Sequence, residues 1–227
     1  MKILLLGGTG LIGKQVLLSL VFYPQIEKVF VWARNSKPNT NQNVPIEIHS
    51  VTWEGFQSGK TFVPDDVDAV FCCLGTTINK AGTRERFREI DYDYPLLAAR
   101  QAKEKGIKRF FVVTAMGSHS ESIIFYNRVK GELERDLILL KLPFLGIFRP
   151  SLLLGNREET RFGEKVGEFV SGFIPFGIFG LDKMRPIPAE LVAKSMIESL
   201  LNDSNKPSES PVVKIYENDT MWKTSKA

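Results

Sequence analysis

Residues 1–13 read MKILLLGGTGLIG, an apolar run that stops at Gly7 and resumes after a turn with glycines at 7, 10 and 13. Ile3 to Leu6 has the unbroken apolar character of a strand covered on both faces, as in a parallel sheet. The three glycines do different work. Gly7 turns the chain tightly, Gly10 lets backbone approach a pyrophosphate, and Gly13 lets the next helix pack close to the strand. The helix expected from about Leu11 to Val21 aims its free N–H groups and positive dipole end at the phosphates. Thr9, Leu11 and Ile12 complete the binding turn. The motif stands after a strand and before an amphipathic helix, the context that a dinucleotide-binding turn requires.

The 227 residues, 43% hydrophobic and 25% charged, suffice to bury a large core, and one domain over residues 1–227 is expected. The apolar start is cut by glycines and followed by no small-residue cleavage site, so it reads as mature structure, and no transmembrane segment is expected. The two cysteines, Cys72 and Cys73, are adjacent in an apolar stretch whose neighbours face opposite ways. That geometry argues against a mutual disulfide and points to a reducing compartment, taken as the cytoplasm. The net charge is +4. Its densest basic groups, Arg84, Arg86 and Arg88, then Lys103, Lys105, Lys108 and Arg109, are interleaved with glutamates or spread along a helix. A solvated face is expected there, and no nucleic-acid partner.

Lys28 to Ala33 reads as a second buried strand closing a β-α-β unit. At its end an acidic residue would hydrogen-bond the adenosine ribose and select NAD, whereas arginine accommodates the 2′-phosphate of NADP. The sequence places Arg34 there, with Lys37 behind it and Lys14 just after the third glycine, so NADP(H) is the expected cofactor. Residues 36–45 form a loop and Ile46 to Val51 a third strand. Asp68 to Leu74 is a fourth, and Leu74, Gly75 and Thr76 at its end should border the cofactor, because ligands of doubly wound sheets lie outside the carboxyl ends of the strands. Asn79 to Glu89 reads as a polar loop with a helical turn. Tyr94 to Glu104 is a helix stopped at Lys105-Gly106. The fold expected is a Rossmann-type, doubly wound parallel α/β sheet with a small C-terminal substrate or lid region.

Phe110 to Val113 is the fifth strand, and the chemistry is expected just beyond it. Tyr126 and Lys130 are spaced to share one helix face, one turn apart. A tyrosine with its ordinary pKa near 10 is a poor acid or base at neutral pH, and an adjacent lysine ammonium favours its phenolate. Lys130 can also hydrogen-bond the nicotinamide ribose. A hydroxyl from Thr114, or else Ser118 or Ser120, would polarise the substrate oxygen. His49 and His119 lack the partners that zinc or triad chemistry requires, so no metal is expected.

These motifs carry a resemblance. Gly-Gly-Thr-Gly-Leu-Ile-Gly at 7–13, Cys-Cys-Leu-Gly-Thr-Thr at 72–77, Tyr126/Lys130 followed by Gly-Glu, and Phe-Arg-Pro-Ser at 148–151 resemble an atypical short-chain dehydrogenase/reductase. The group in question contains the Tat-interacting metastasis-suppressor oxidoreductase and its bacterial relatives. The resemblance runs from Lys2 to about Leu201. It implies NADPH held by the glycine turn and Arg34, with Leu74, Gly75 and Thr76 along the adenosine half and Pro150 and Ser151 flanking the nicotinamide. The sequence departs from the extended members of that superfamily in two ways. They carry asparagine where Asp91 stands, and their catalytic hydroxyl precedes the tyrosine by about twice the spacing of Thr114.

Phe144 to Phe148 is a sixth strand. Residues 151–190 are expected to supply the substrate pocket. The apolar run 169–181 is too short and glycine-broken to span a bilayer. It is core packing, a pocket lid, a dimer surface or a membrane-touching loop, and as a lid it implies an apolar substrate. Ala189 to Leu201 closes the fold as a helix, Val212 to Tyr216 is a last strand, and the final residues are expected to be mobile. Together these readings imply NADPH-dependent reduction of a small carbonyl substrate by a chain that could pair as a homodimer. The alternative is an NADPH-binding regulator that engages a protein partner.

Overall fold

The computed structural model describes residues 1–33, 45–50, 55, 58, 63–154, 184–202 and 210–224. Along the chain, β1 (Lys2–Leu6) leads into α1 (Leu11–Leu20), β2 (Lys28–Ala33), β3 (Ile46–Ser50) and β4 (Ala69–Cys72). Two short helices, α2 (Ile78–Ala81) and α3 (Arg84–Arg88), and a π-helical turn (Glu89–Asp93) run into α4 (Tyr94–Glu104). There follow β5 (Arg109–Val113), α5 (Phe125–Leu139), β6 (Phe144–Arg149) and β7 (Leu153–Leu154). The chain ends in β8 (Ile187–Pro188), α6 (Ala189–Asn202), β9 (Val212–Glu217) and α7 (Asn218–Thr224).

Seven strands form one sheet in the order β3-β2-β1-β4-β5-β6-β9, and every neighbouring pair is parallel. This is the expected doubly wound sheet. Its strand order reverses between β1 and β4, where such sheets open a crevice at their carboxyl ends. The strands are apolar on both faces because both faces are covered. Leu4, Leu6, Val70, Phe110, Val112, Leu145 and Ile147 pack toward α4 and α5. Ile3, Leu5, Phe71, Phe111, Val113 and Phe148 pack toward α1 and α6. Phe111 is fully buried, stacked on Phe71 at 4.9 Å and tilted against Phe144 at 5.5 Å. Gly146 on β6 makes the room: a Cβ there would come within 2.8 Å of the Phe111 ring.

Two expectations are corrected. Asn79 to Glu89 is mostly helix rather than loop, because the Thr77 and Thr83 hydroxyls accept from the Lys80 and Arg86 N–H groups and cap α2 and α3. The chain end is not a mobile tail up to residue 224: it folds as α7, whose Met221 is fully buried beside α6. Of the region 151–190, β7 and β8 pair in parallel, whereas the apolar run 169–181 lies outside the described residues. No helix among the described residues is long and apolar enough to cross a membrane.

Truncating Phe111 to Ala removes a ring packed against side chains of β4 and β6, and is expected to lower unfolding free energy by about 3–5 kcal/mol. A urea titration followed by circular dichroism measures the shift in midpoint.

Candidate active site at the carboxyl ends of the strands

The glycine turn is built as its sequence requires. Gly7 has φ +79°, and a Cβ on it would lie 2.6 Å from the Cys73 carbonyl oxygen. A Cβ on Gly13 would lie 2.1 Å from the Gly7 carbonyl, so helix and strand approach to a distance that only glycine permits. The Gly10 N–H donates to the Gly7 carbonyl at 2.9 Å. Gly10 caps α1 without a side-chain hydrogen bond, and the first turn holds no acidic residue. The N–H groups of Leu11, Ile12 and Gly13 therefore keep the anion-binding capacity of a bare helix N-terminus. The Ile12 side chain itself is buried in the core, so its part in the turn is played by its backbone. Arg34 and Lys37 lie outside the described residues.

The tip of β4 joins this turn to the predicted catalytic helix. The Cys73 N–H donates to the Leu6 carbonyl at 2.9 Å, holding the strand ends together. Two residues on, a Cβ at Gly75 would sit 3.5 Å from Asp91 Oδ1 and 3.8 Å from Lys130 Nζ. The Thr76 N–H donates to Asp91 Oδ2 at 2.9 Å. Asp91 comes from the π-helical turn, a rare bulge that recurs at functional sites. Two contacts latch this turn onto α5: Tyr92 to Asp136, and Arg88 to Glu132, with the Arg88 guanidinium 4.2 Å over the Tyr92 ring.

Lys130 and Asp91 form a buried ion pair with Nζ 2.8 Å from Oδ1, and their side chains are 3% and 1% exposed. Burial pulls the Lys130 ammonium down, but the Asp91 carboxylate, then Tyr126, outweigh it and hold the group above its ordinary value. Burial pushes the Asp91 carboxyl up against the pull of Lys130. Tyr126, one turn before Lys130 on α5, rests against Phe87 with ring centroids 5.5 Å apart. Its phenol lies above its ordinary value, from burial first, with Lys130 opposing and Asp91 adding. Lys130 does pull Tyr126 toward the phenolate, but burial outweighs that pull and Asp91 adds to burial. Cys72, the other titratable neighbour of Lys130, is pushed up to about 12 by burial and is an inert thiol.

The three candidate hydroxyls fare differently. Thr114 donates to Glu134 at 2.6 Å and belongs to a cluster in which Arg149 pairs with Glu134 at 2.5 Å and with Glu217 at 2.8 Å. Glu134 is two turns beyond Tyr126, about 12 Å along the helix axis, so Thr114 is drawn away from the phenol. Ser118 donates to the Ala115 carbonyl at 2.6 Å. Ser120 crosses α5 on the Gly131 flank, where a Cβ would come within 2.4 Å of the Ser120 nitrogen. Among the described residues, none of the three bonds to Tyr126. Ser151 is likewise tied into the scaffold: its N–H donates to Asn218 Oδ1 at 3.0 Å and its hydroxyl to the Arg185 carbonyl at 2.6 Å. The Pro150 carbonyl accepts from Met116 at 2.9 Å. Asp91 and Asn218 were not singled out as site residues by sequence reasoning. Asp91 had a signal in its departure from asparagine, whereas Asn218 had none.

Known proteins agree with this architecture. The model of the HIM1 family matches residues 41–171. "Protein FMP52, mitochondrial" of Eremothecium gossypii is 32% identical over 205 residues, spanning 89% of this chain and 90% of that protein. Its namesake in Meyerozyma guilliermondii is 33% identical over 229 residues, spanning 100% and 96%. Among solved structures, the UDP-glucuronic acid 4-epimerase of Bacillus cereus in complex with NAD superposes with a TM-score of 0.66 at 16% identity, covering 96% of this chain and 77% of that one. The UDP-glucose 4-epimerase of Thermotoga maritima gives 0.66 at 16% identity, covering 100% and 82%. At such identities these enzymes establish the fold alone. The relatives' names overturn the cytoplasmic expectation, which rested on unpaired cysteines, and those report a reducing surrounding rather than a particular compartment. By identity and coverage the chain belongs to the FMP52 proteins of the HIM1 family.

Proposed function

We propose that this protein is an NADPH-dependent oxidoreductase that reduces the carbonyl of a small, apolar substrate. The observation that carries the reading is the placement of Lys130 Nζ, on the helix that presents Tyr126, buried and 3.8 Å from the Cβ position of Gly75, which lies two residues beyond the Cys73 carbonyl that abuts the glycine turn. The residues fit a dinucleotide: the uncapped α1 N-terminus and a crevice floor of Gly7, Gly10 and Gly13 leave backbone N–H groups for a pyrophosphate. A bound nicotinamide would supply the hydride. Tyr126 gives its phenolic proton to the carbonyl oxygen, and Lys130 stabilises the phenolate that remains. The preference for NADPH rests on Arg34 and Lys37, and the apolar substrate on residues 169–181. The kinship with the Tat-interacting metastasis-suppressor oxidoreductase group rests on the motifs at 7–13, 72–77, 126–132 and 148–151. The relatives' names support a mitochondrial location.

A second reading, a nucleotide-gated regulator that engages a protein partner, is favoured by one observation: the Thr114 and Ser118 hydroxyls are committed elsewhere. Tight NADPH binding without turnover across a panel of ketones and aldehydes would decide for it.

For the reductase, Tyr126→Phe is expected to lower kcat at least about 100-fold with NADPH affinity retained, the scale of a lost general acid. Thr114→Val should leave kcat within about threefold, because its hydroxyl serves Glu134, while lowering stability by about 1 kcal/mol. Stopped-flow absorbance of NADPH and urea titration read the two effects. Arg34→Ala is expected to weaken NADPH binding about tenfold, some 1.4 kcal/mol, and leave NADH binding nearly unchanged in calorimetric titrations. Equal losses for both nucleotides would refute the role of Arg34.

A further inference from the structure

We propose that Asp91 tempers the pull of Lys130 on Tyr126: its carboxylate balances the buried ammonium, so that the tyrosine, kept a phenol by burial, holds its proton more firmly than it would beside an unpaired lysine. The inference rests on the reading of Tyr126 as the proton donor, and extends it to a residue that touches neither substrate nor reacting atoms. Asp91 is a positioning residue.

The argument begins with charge. A lysine ammonium buried beside a phenol stabilises the phenolate when it is the only charge present. Here a second charge of opposite sign lies 2.8 Å from Nζ, at least as buried as the ammonium, so the pair presents a dipole to Tyr126 instead of a net positive charge. The groups that face the pair are few. From β4 comes Cys72, neutral because burial pushes it up to about 12. From the π-helical turn comes Asp91, and from α5 Tyr126 itself. From α3 comes Phe87, which has no charge. Glu134, one turn beyond Lys130, is taken by Arg149 and Thr114. No other charged group among the described residues contributes to the perturbation of Tyr126.

Geometry holds Asp91 in this position. Its other oxygen accepts from the Thr76 N–H at 2.9 Å, and Gly75 packs at van der Waals distance beside Oδ1. The π-helical turn that aims it is clamped to α5 at both ends by Arg88–Glu132 and Tyr92–Asp136. A carboxylate placed only to fill space would need none of these restraints. An asparagine could keep the Thr76 bond and the shape, and would differ only in charge.

Asp91→Asn is therefore the test. The tyrosinate absorbance of the full-length protein is titrated with alkali, and the contribution of Tyr126 is isolated by subtracting the titration of Tyr126→Phe in the same background. In Asp91→Asn that contribution is expected to appear at a pH at least about one unit lower, a tenfold loss of proton affinity. In turnover, the alkaline fall of carbonyl reduction should move down by the same amount. Lys130→Gln, which leaves the carboxylate unbalanced, should shift the Tyr126 titration upward, and serves if Asp91→Asn does not fold. An unchanged Tyr126 titration in a folded Asp91→Asn protein, or an unshifted one in Lys130→Gln, overturns the proposal. Absence of turnover with an intact shift in titration would defeat the reductase reading and leave the charge balance standing.

Discussion

A lysine ammonium at 3% exposure is untenable alone, and the π-helical turn brings Lys130 its partner, Asp91. Removing one member of such a buried pair costs about 3–5 kcal/mol, because the other is left as an unbalanced charge in a medium of low polarity. The partner arrives from a segment far away in sequence and must arrive accurately. A regular helix through residues 84–104 would rotate Asp91 by a fixed angle per residue. The π-helical turn inserts an extra residue and re-aims it, and the Arg88–Glu132 and Tyr92–Asp136 contacts pin the turn to the same helix that bears Lys130. The irregularity of the backbone is thus explained by electrostatics.

Local rules made most of the scaffold legible. Strands covered on both faces announce themselves as short apolar runs, and β1, β2, β4, β5 and β6 all lie within a few residues of where those runs place them. The glycine turn is legible because steric necessity leaves few residue choices: at Gly7 and Gly13 any side chain would collide with backbone. Tyr126 and Lys130 are legible because helical spacing alone puts them on one face.

What sequence did not reveal depends on partners distant in the chain. Thr114 stands where a catalytic hydroxyl would be sought, yet Glu134 and Arg149 claim it, and that claim is set by how α5 crosses β5 and β6. Asn218 joins Ser151 to Arg185, which lie 67 and 33 residues before it in the chain, in a segment too polar and too near the end of the chain to suggest order. Asp91 was visible as an anomaly only, since a carboxylate at that position has no meaning until the lysine opposite it is known.

The glycine turn and the Asp91–Lys130 pair are separate in sequence but not in mechanics. Gly7 packs on the carbonyl of Cys73, Gly75 faces the ion pair, and Thr76 hydrogen-bonds Asp91, so the stretch from Cys73 to Thr76 touches both halves of the site. A dinucleotide pressing on the turn would press on backbone two residues from the contacts that hold Asp91 in place. Any displacement of the β4 tip must therefore either carry the Asp91–Lys130 pair with it or stretch the Thr76 bond, which is partly shielded from water. Because packed interiors resist such stretching, the first course is the cheaper one. The Thr76 bond to Asp91 thus ties the tip of β4, on which the glycine turn rests, to the Asp91–Lys130 pair.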